Sequence, residues 1–198
     1  VLWGTTKAGS HLSFFDAKGK RVEQKTQACG KHQRHVAFEI VDGLGRGLVT
    51  CQGHARDPVQ YRRFSWGKST PAFVDNGLVT VAGSSGGHSS WYESHIVGML
   101  DDGSFAIEWE DTADEVLRVN LYNAEGQLTK QTDIGGPASY DAFRHVNQGI
   151  EVLQDGYVLR TRSATFVYMD RNGQVLGKTE LASDFDRFFV RTNGAAEL

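Results

Sequence analysis

Three observations predict an all-β protein made of repeated antiparallel units. Gly is abundant, at 23 of 198 residues, and Pro is scarce, at 3, a balance that suits tight turns between short strands. No segment longer than a few residues keeps the 3.6-residue apolar period of a helix. Short apolar runs ended by Asp-Gly or Asn-Gly signals recur along the whole chain, and such signals mark hairpins.

The recurrences are of two kinds. FFDAKGKRVEQKT, LYNAEGQLTKQT and VYMDRNGQVLGKT each place Asp or Asn three residues before a turn glycine, at Gly19, Gly126 and Gly173. The Asp or Asn side chain opens such a turn and Gly supplies positive φ near its end. YRRFSWGKS, with Gly67, reads as a degraded fourth copy. Upstream of these lie HVAFEIVDG, HIVGMLDDG, QGIEVLQDG and DRFFVRTNG, which align without gaps and end at Gly43, Gly103, Gly156 and Gly194.

A second strand follows each of these turns: GLVTCQG, SFAIEWED, YVLRTRS and, at the chain end, AAEL, which VLWGTT at the chain start would continue. Intervals between the inner turn glycines are 48, 59 and 47 residues, and the interval wrapped from Gly173 past Leu198 to Gly19 is 44. The chain therefore reads as four repeats of about 50 residues, a spacing that suits four-stranded propeller blades.

The predicted fold is a four-bladed β-propeller of four-stranded antiparallel blades, a single domain over residues 1–198. Its chain ends share blade 1 (about 186–198 and 1–29). Blade 2 covers about 33–82, blade 3 about 93–134 and blade 4 about 143–182. In each blade, strand one is HVAFEIV-like, strand two LVLW-like, strand three HLSFF-like and strand four KRVEQKT-like. Blade 2 departs from the pattern, with DGLGRG at its first turn and STPAFVDNGLVTVAGSSGGHSSWYE after its third strand. The latter holds the fourth strand and a Gly/Ser-rich loop, and it accounts for the 59-residue interval. Long irregular loops on a regular scaffold commonly carry function.

The DG turn, the apolar strand ending in Trp (SFAIEWED) and the strand entering (F/Y)-(D/N)-x-x-G resemble bacterial β-propeller repeats. They are similar to blades of large secreted repeat proteins and, more loosely, to quinoprotein-like propellers. The resemblance spans essentially the whole chain and implies a fold, because its motifs are turns. The Trp-docking and cofactor residues of quinoprotein enzymes have no counterpart here. Four blades match the size class of hemopexin-type domains, whose sequence signature is absent. A piece cut from a larger repeat protein, with an incomplete ring, is the alternative architecture.

The formal net charge of -3 and the lack of a basic cluster give no support to nucleic-acid binding. No apolar run approaches the roughly 18 residues of a membrane-spanning helix. Cys29 and Cys51 read either as one disulfide, implying an oxidising compartment, or as two buried thiols. A first residue of Val1 points to a processed or trimmed chain. With the cysteine pair, it makes secreted or periplasmic the expected location.

Two candidate sites emerge. His35, His95, Gln148 and Asp186 each stand eight residues before a first-turn glycine, where strand one begins. In a propeller this strand lines the axis, so the four would ring one channel mouth. Two imidazoles and a carboxylate suit a divalent metal ion, with His145 a substitute; the plainer reading is a hydrated polar ring. The second site is aromatic: Trp66 in a turn, and Trp91 and Tyr92 with His88 at the end of the Gly/Ser loop, suited to stacking on a glycan or a protein partner.

Trp3 and Trp109 read as one repeat position and hence as packing between blades. GSSGG around Ser85 matches G-x-S-x-G, but that nucleophile motif needs a strand-to-helix elbow; a flexible loop is the reading here. EDTADE, from Glu110 to Glu115, reads as a solvated loop rather than a calcium site, since it lacks regular ligand spacing. The leading function is a non-catalytic binding module for a glycan or protein. The alternative is a metal- or small-ligand-binding propeller with the His/His/Asp site, which would admit catalysis.

Overall fold

A computed structural model describes residues 2–6, 9–16, 18–26, 29, 35–41, 45–53, 57–65, 72–74, 77–86, 95–111, 114, 116–135, 149–162, 165–180, 189–190 and 196–197. Within the strands, the side chains of residues 2–10, 24–26, 35–41, 95–96, 149, 160–162, 189–190 and 196–197 lie outside that description. Every element among the described residues is a strand. The chain divides into two compact units, Val1–His95 and Ile96–Leu198.

In the first unit, β1 (Leu2–Thr6), β2 (Gly9–Phe15) and β3 (Arg21–Thr26) form a three-stranded antiparallel sheet. β4 (His35–Val41), β5 (Arg46–Gln52) and β6 (Gln60–Ser65) follow in a second sheet. The predicted single outer strand of blade 2 is two short pieces, β7 (Ala72–Phe73) and β8 (Val79–Thr80), both paired with β6. Between the two pieces the sequence carries Asp, Asn and Gly at 75–77, residue types that favour turns. Leu12 and Phe14 of the first sheet pack on Val49, Cys51 and Phe64 of the second, with Phe14 and Phe64 edge to face at 5.5 Å.

A disulfide joins Cys29 to Cys51 in this same core, with Cα atoms 5.7 Å apart, which decides between the two readings of the cysteines. It closes a loop across a sequence separation of 22 residues, worth about 3 kcal/mol through the unfolded chain's entropy.

The second unit holds two four-stranded sheets. β9 (His95–Met99), β10 (Phe105–Asp111), β11 (Val116–Tyr122) and β12 (Leu128–Gly135) make one; β13 (Gly149–Leu153), β14 (Gly156–Arg162), β15 (Thr165–Asp170) and β16 (Val175–Glu180) make the other. β17 (Phe189–Val190) and β18 (Ala196–Glu197) pair separately. One face of each large sheet meets the other in a common core. Ala106, Leu117, Val119 and Leu121 come from the first; Tyr157, Leu159, Val167 and Met169 come from the second. Gly98 allows β9 to approach β13: a Cβ there would lie 3.0 Å from Val152 Cγ2 and 3.3 Å from Ile150.

The outer strands β12 and β16 are largely exposed and carry Lys130 and Lys178, charges that discourage edge-to-edge pairing.

The predicted inner turn is the same in three places. Asp16 Oδ1 accepts hydrogen bonds from the amides of Lys18 and Lys20, Asn123 Oδ1 from Glu125 and Gln127, and Asp170 Oδ1 from Asn172 and Gln174. Gly19, Gly126 and Gly173 have φ of 77°, 83° and 79°. The copy at Gly67 lies outside the described residues.

The outer turns are less uniform than the sequence suggests. Gly103 has φ of 85° in a turn closed by the Leu100 amide on the Ser104 carbonyl. Gly156 is instead the first residue of β14, paired with Leu153 across a two-residue turn. It is glycine for space: a Cβ there would fall 2.1 Å from the Met169 carbonyl oxygen. Gly43 and Gly194 lie outside the described residues.

Candidate functional site

Of the predicted metal-ring positions, His35 is the first residue of β4 and His95 the first of β9. Both strands stand at an end of their sheet's order. Gln148 directly precedes β13, and Asp186 lies three residues before β17. The side chains of His35 and His95, and residues Gln148, Asp186 and His145 altogether, lie outside the described residues. Among the described residues, no group of three His, Cys, Asp or Glu side chains could hold a metal ion.

Trp66, His88, Trp91 and Tyr92 also lie outside the described residues, but the frame around them is defined. Ser84, in the GSSGG loop, is buried, and its hydroxyl accepts a hydrogen bond from the Val59 amide at 2.8 Å. The Val81 amide donates to the Val59 carbonyl at 2.9 Å. Residues 81–84 are thereby tied to the start of β6. The sequence drew attention to Ser85, yet its neighbour Ser84 does the structural work, and Ser85 is exposed between Gly83 and Gly86, whose φ are 86° and 89°. Phe73 of β7 lies under the Arg62 guanidinium, 4.4 Å from its ring centre.

Among the described residues, sheet β9–β12 carries a connected polar arrangement. Trp109 is fully buried, and its indole nitrogen donates to Asn120 Oδ1 at 3.2 Å. Asn120 in turn donates to the Tyr122 hydroxyl and accepts from Gln131. Phe105 stacks on Tyr122, its cross-strand partner, at 4.8 Å.

The register corrects one sequence expectation. Trp3 pairs with Leu12, three residues before the turn-entering Phe15, whereas Trp109 pairs with Arg118, four before Tyr122. The two tryptophans are offset by one residue in the repeat, and a one-residue offset changes the face of a strand. The counterpart of Trp3 is Glu108.

The acidic run supplies its own cation. Arg118 forms ion pairs with Asp111, with Asp114 at 2.6 Å and with Asp133 at 3.1 Å. Burial opposes its charge, but hydrogen bonds to Asp114 and Asp133 and the field of Asp111 outweigh that and raise its pKa. Arg171 binds Asp101 at 2.9 Å, Asp102 at 3.0 Å and the Gln154 carbonyl oxygen, tying the turn between β9 and β10 to the turn between β13 and β14. Hydrogen bonds from Ser104 and the nearby Arg171 charge hold the Asp102 carboxyl below its usual range.

Glu108 is the unexpected residue. It is fully buried, and neither carboxyl oxygen has a hydrogen-bond partner. Burial pushes its pKa to about 8, so it is mostly protonated at neutral pH. Its place inside SFAIEWED, between an apolar residue and Trp, was the available signal.

No family model matches the sequence, and no curated protein is similar to it. Among solved structures, the chain is similar to a Bacteroides caccae protein of unknown function, with a TM-score of 0.50 and 14% identity over 98% of this chain and 62% of that one. It also aligns with AztD from Citrobacter koseri, at a TM-score of 0.35 and 8% identity, over 92% of this chain and 59% of AztD. The apo form of AztD gives 0.36 and 9%, over 92% and 60%. The first likeness is one of fold alone, and the two AztD likenesses are too distant to bear on this chain. The chain spans about three fifths of the length of each.

Proposed function

We propose that the chain is a propeller-type, non-catalytic binding module that recognises a glycan or protein partner through loops of blade 2. One observation carries this reading. Among the described residues, only the strand predicted after β6 is broken, into β7 and β8; Trp66 directly follows β6, and His88, Trp91 and Tyr92 lie in the sequence between β8 and β9. Irregular segments on a regular sheet commonly carry recognition, and aromatic residues are enriched at contacts.

The accompanying architecture is a four-bladed ring in which β18 and β1 together make the second strand of blade 1. β18 supports this by pairing with β17, a strand-one segment, and β1 by pairing with β2, a strand-three segment. The Cys29–Cys51 disulfide favours an oxidising compartment, secreted or periplasmic.

A glycan array and a pull-down of surface proteins from the same source test the reading. Binding by the wild type should fall at least about tenfold in the Trp66→Ala/Trp91→Ala double variant, as for interface aromatics generally. Binding that survives this change would remove the blade 2 loops from the site.

A second reading, a divalent metal ion or small ligand held by His35, His95 and Asp186 with Gln148 at the channel mouth, draws support from the placement of both histidines at the heads of equivalent strands. Bound metal that disappears in His35→Ala/His95→Ala would favour it; metal content equal to the wild type's would count against it.

A further inference from the structure

β10 alternates between two environments. Ala106, Glu108 and Glu110 share one side of the strand, and Phe105, Ile107 and Trp109 the other. Ala106 belongs to the core that joins sheet β9–β12 to sheet β13–β16. Glu108 pairs with Val119, another member of that core. Its carboxyl is thus enclosed where two sheets meet, with neither oxygen bonded. A neutral carboxylic acid can rest there, but an unpaired carboxylate cannot without admitting water or a cation.

Among the described residues, the elements packed around it supply no hydrogen-bond partner to either oxygen. β11 presents Leu117, Val119 and Leu121, β13 presents Ile150 and Val152, and β15 presents Val167 and Met169. The titratable groups of these faces are Tyr157 on β14, which hydrogen-bonds Ser104, Lys130 on β12, Lys178 and Glu180 on β16, and Glu110 on β10 itself. Lys178 donates to the Ile134 carbonyl at 3.0 Å, and Lys130 and Glu180 are exposed. Arg162 occupies the register position opposite Thr165. Burial is the sole cause of the displaced Glu108 titration, with no charged group contributing.

We propose that the packing of sheet β9–β12 on sheet β13–β16 is a protonation switch, closed while Glu108 holds its proton and loosened when Glu108 ionises. The direction follows from linkage. In the closed state the carboxyl titrates near pH 8, against 4.5 for the free group. The open state therefore releases the proton first, and opening rises about tenfold per pH unit between these limits and levels off above them.

Hydrogen–deuterium exchange of the β10 and β14 amides in the full chain, corrected for intrinsic exchange, tests this between pH 6 and 9. Wild-type protection should fall about tenfold per pH unit up to about pH 8, and the dependence should vanish in Glu108→Gln. Infrared spectroscopy adds a direct reading. The wild type should show a protonated-carboxyl band at pH 6 that fades near pH 8 and is missing from the variant. Should Glu108→Gln fail to fold, Glu108→Leu replaces it in the exchange experiment, and the wild-type infrared titration still decides. Protection independent of pH in the wild type, equal pH dependence in the variant, or a Glu108 band already lost at pH 6 each overturns the proposal.

Discussion

The two units solve the same problem by different means. Each packs one antiparallel sheet on another through aliphatic and aromatic side chains. In the first, Leu12 and Phe14 meet Val49 and Phe64, and the Cys29–Cys51 disulfide locks the layer covalently. In the second, Val119 and Leu121 meet Leu159 and Val167 without a covalent link. There Arg171 ties the outer turns together by ion pairs, and an acid is enclosed in the core. The first arrangement is open to reduction through its disulfide, and the second to pH through its enclosed acid. Sheet-on-sheet packing is therefore common to both units, while what secures it differs.

The largest expected effect is at Glu108. Its raised pKa means that the folded state keeps a proton the unfolded chain loses, so stability falls as pH rises from about 4.5 to about 8. Glu108→Leu should recover on the order of 4 kcal/mol in the second unit above pH 8, and little below pH 5. Urea denaturation at several pH values measures this; a variant no more stable than the wild type at pH 9 would contradict it.

Next is the disulfide. Reduction, or Cys29→Ser with Cys51→Ser, should cost about 3 kcal/mol. Exchange protection should fall in β2, β5 and β6 and hold in β10, β11 and β14. Uniform loss across both units would erase the contrast drawn between them.

Asp16→Ala, Asn123→Ala and Asp170→Ala each remove two side-chain-to-amide hydrogen bonds of the same turn. Each should cost about 1 kcal/mol, and comparable thermal shifts for all three would confirm that the turns are energetically equivalent. The smallest effect is expected for Arg171→Met, about 0.5 kcal/mol, because its pairs with Asp101 and Asp102 are largely exposed. That loss should shrink further in high salt.

Much of the fold was legible because its signals are local. Asp16, Asn123 and Asp170 bond to amides two and four residues away, so a short motif is enough to specify each turn. The same locality misled at Gly156. Asp-Gly looks alike at positions 102–103 and 155–156, yet one glycine is required by its φ and the other by the Met169 carbonyl. The offset between Trp3 and Trp109 escaped notice for a related reason. Both follow an apolar run, and the choice of face depends on register with the next strand. The candidate site was legible only as a list of positions. His35 and His95 head equivalent strands, while Trp66, His88, Trp91, Tyr92, Gln148 and Asp186 fall outside the described residues.

By itself, then, the sequence determined an all-β chain of antiparallel strands and the chemistry of the inner turns at Gly19, Gly126 and Gly173. Each of these follows from contacts a few residues apart. Tertiary structure alone decided that the strand beside β6 is split into β7 and β8, that the two cysteines are joined and that Arg118 pairs with Asp111 and Asp114 of the acidic run. It also decided that Glu108 lies bare between two sheets. Burial and charge pairing depend on what the rest of the chain brings alongside, and in a β-sheet a shift of one residue is enough to exchange the two faces.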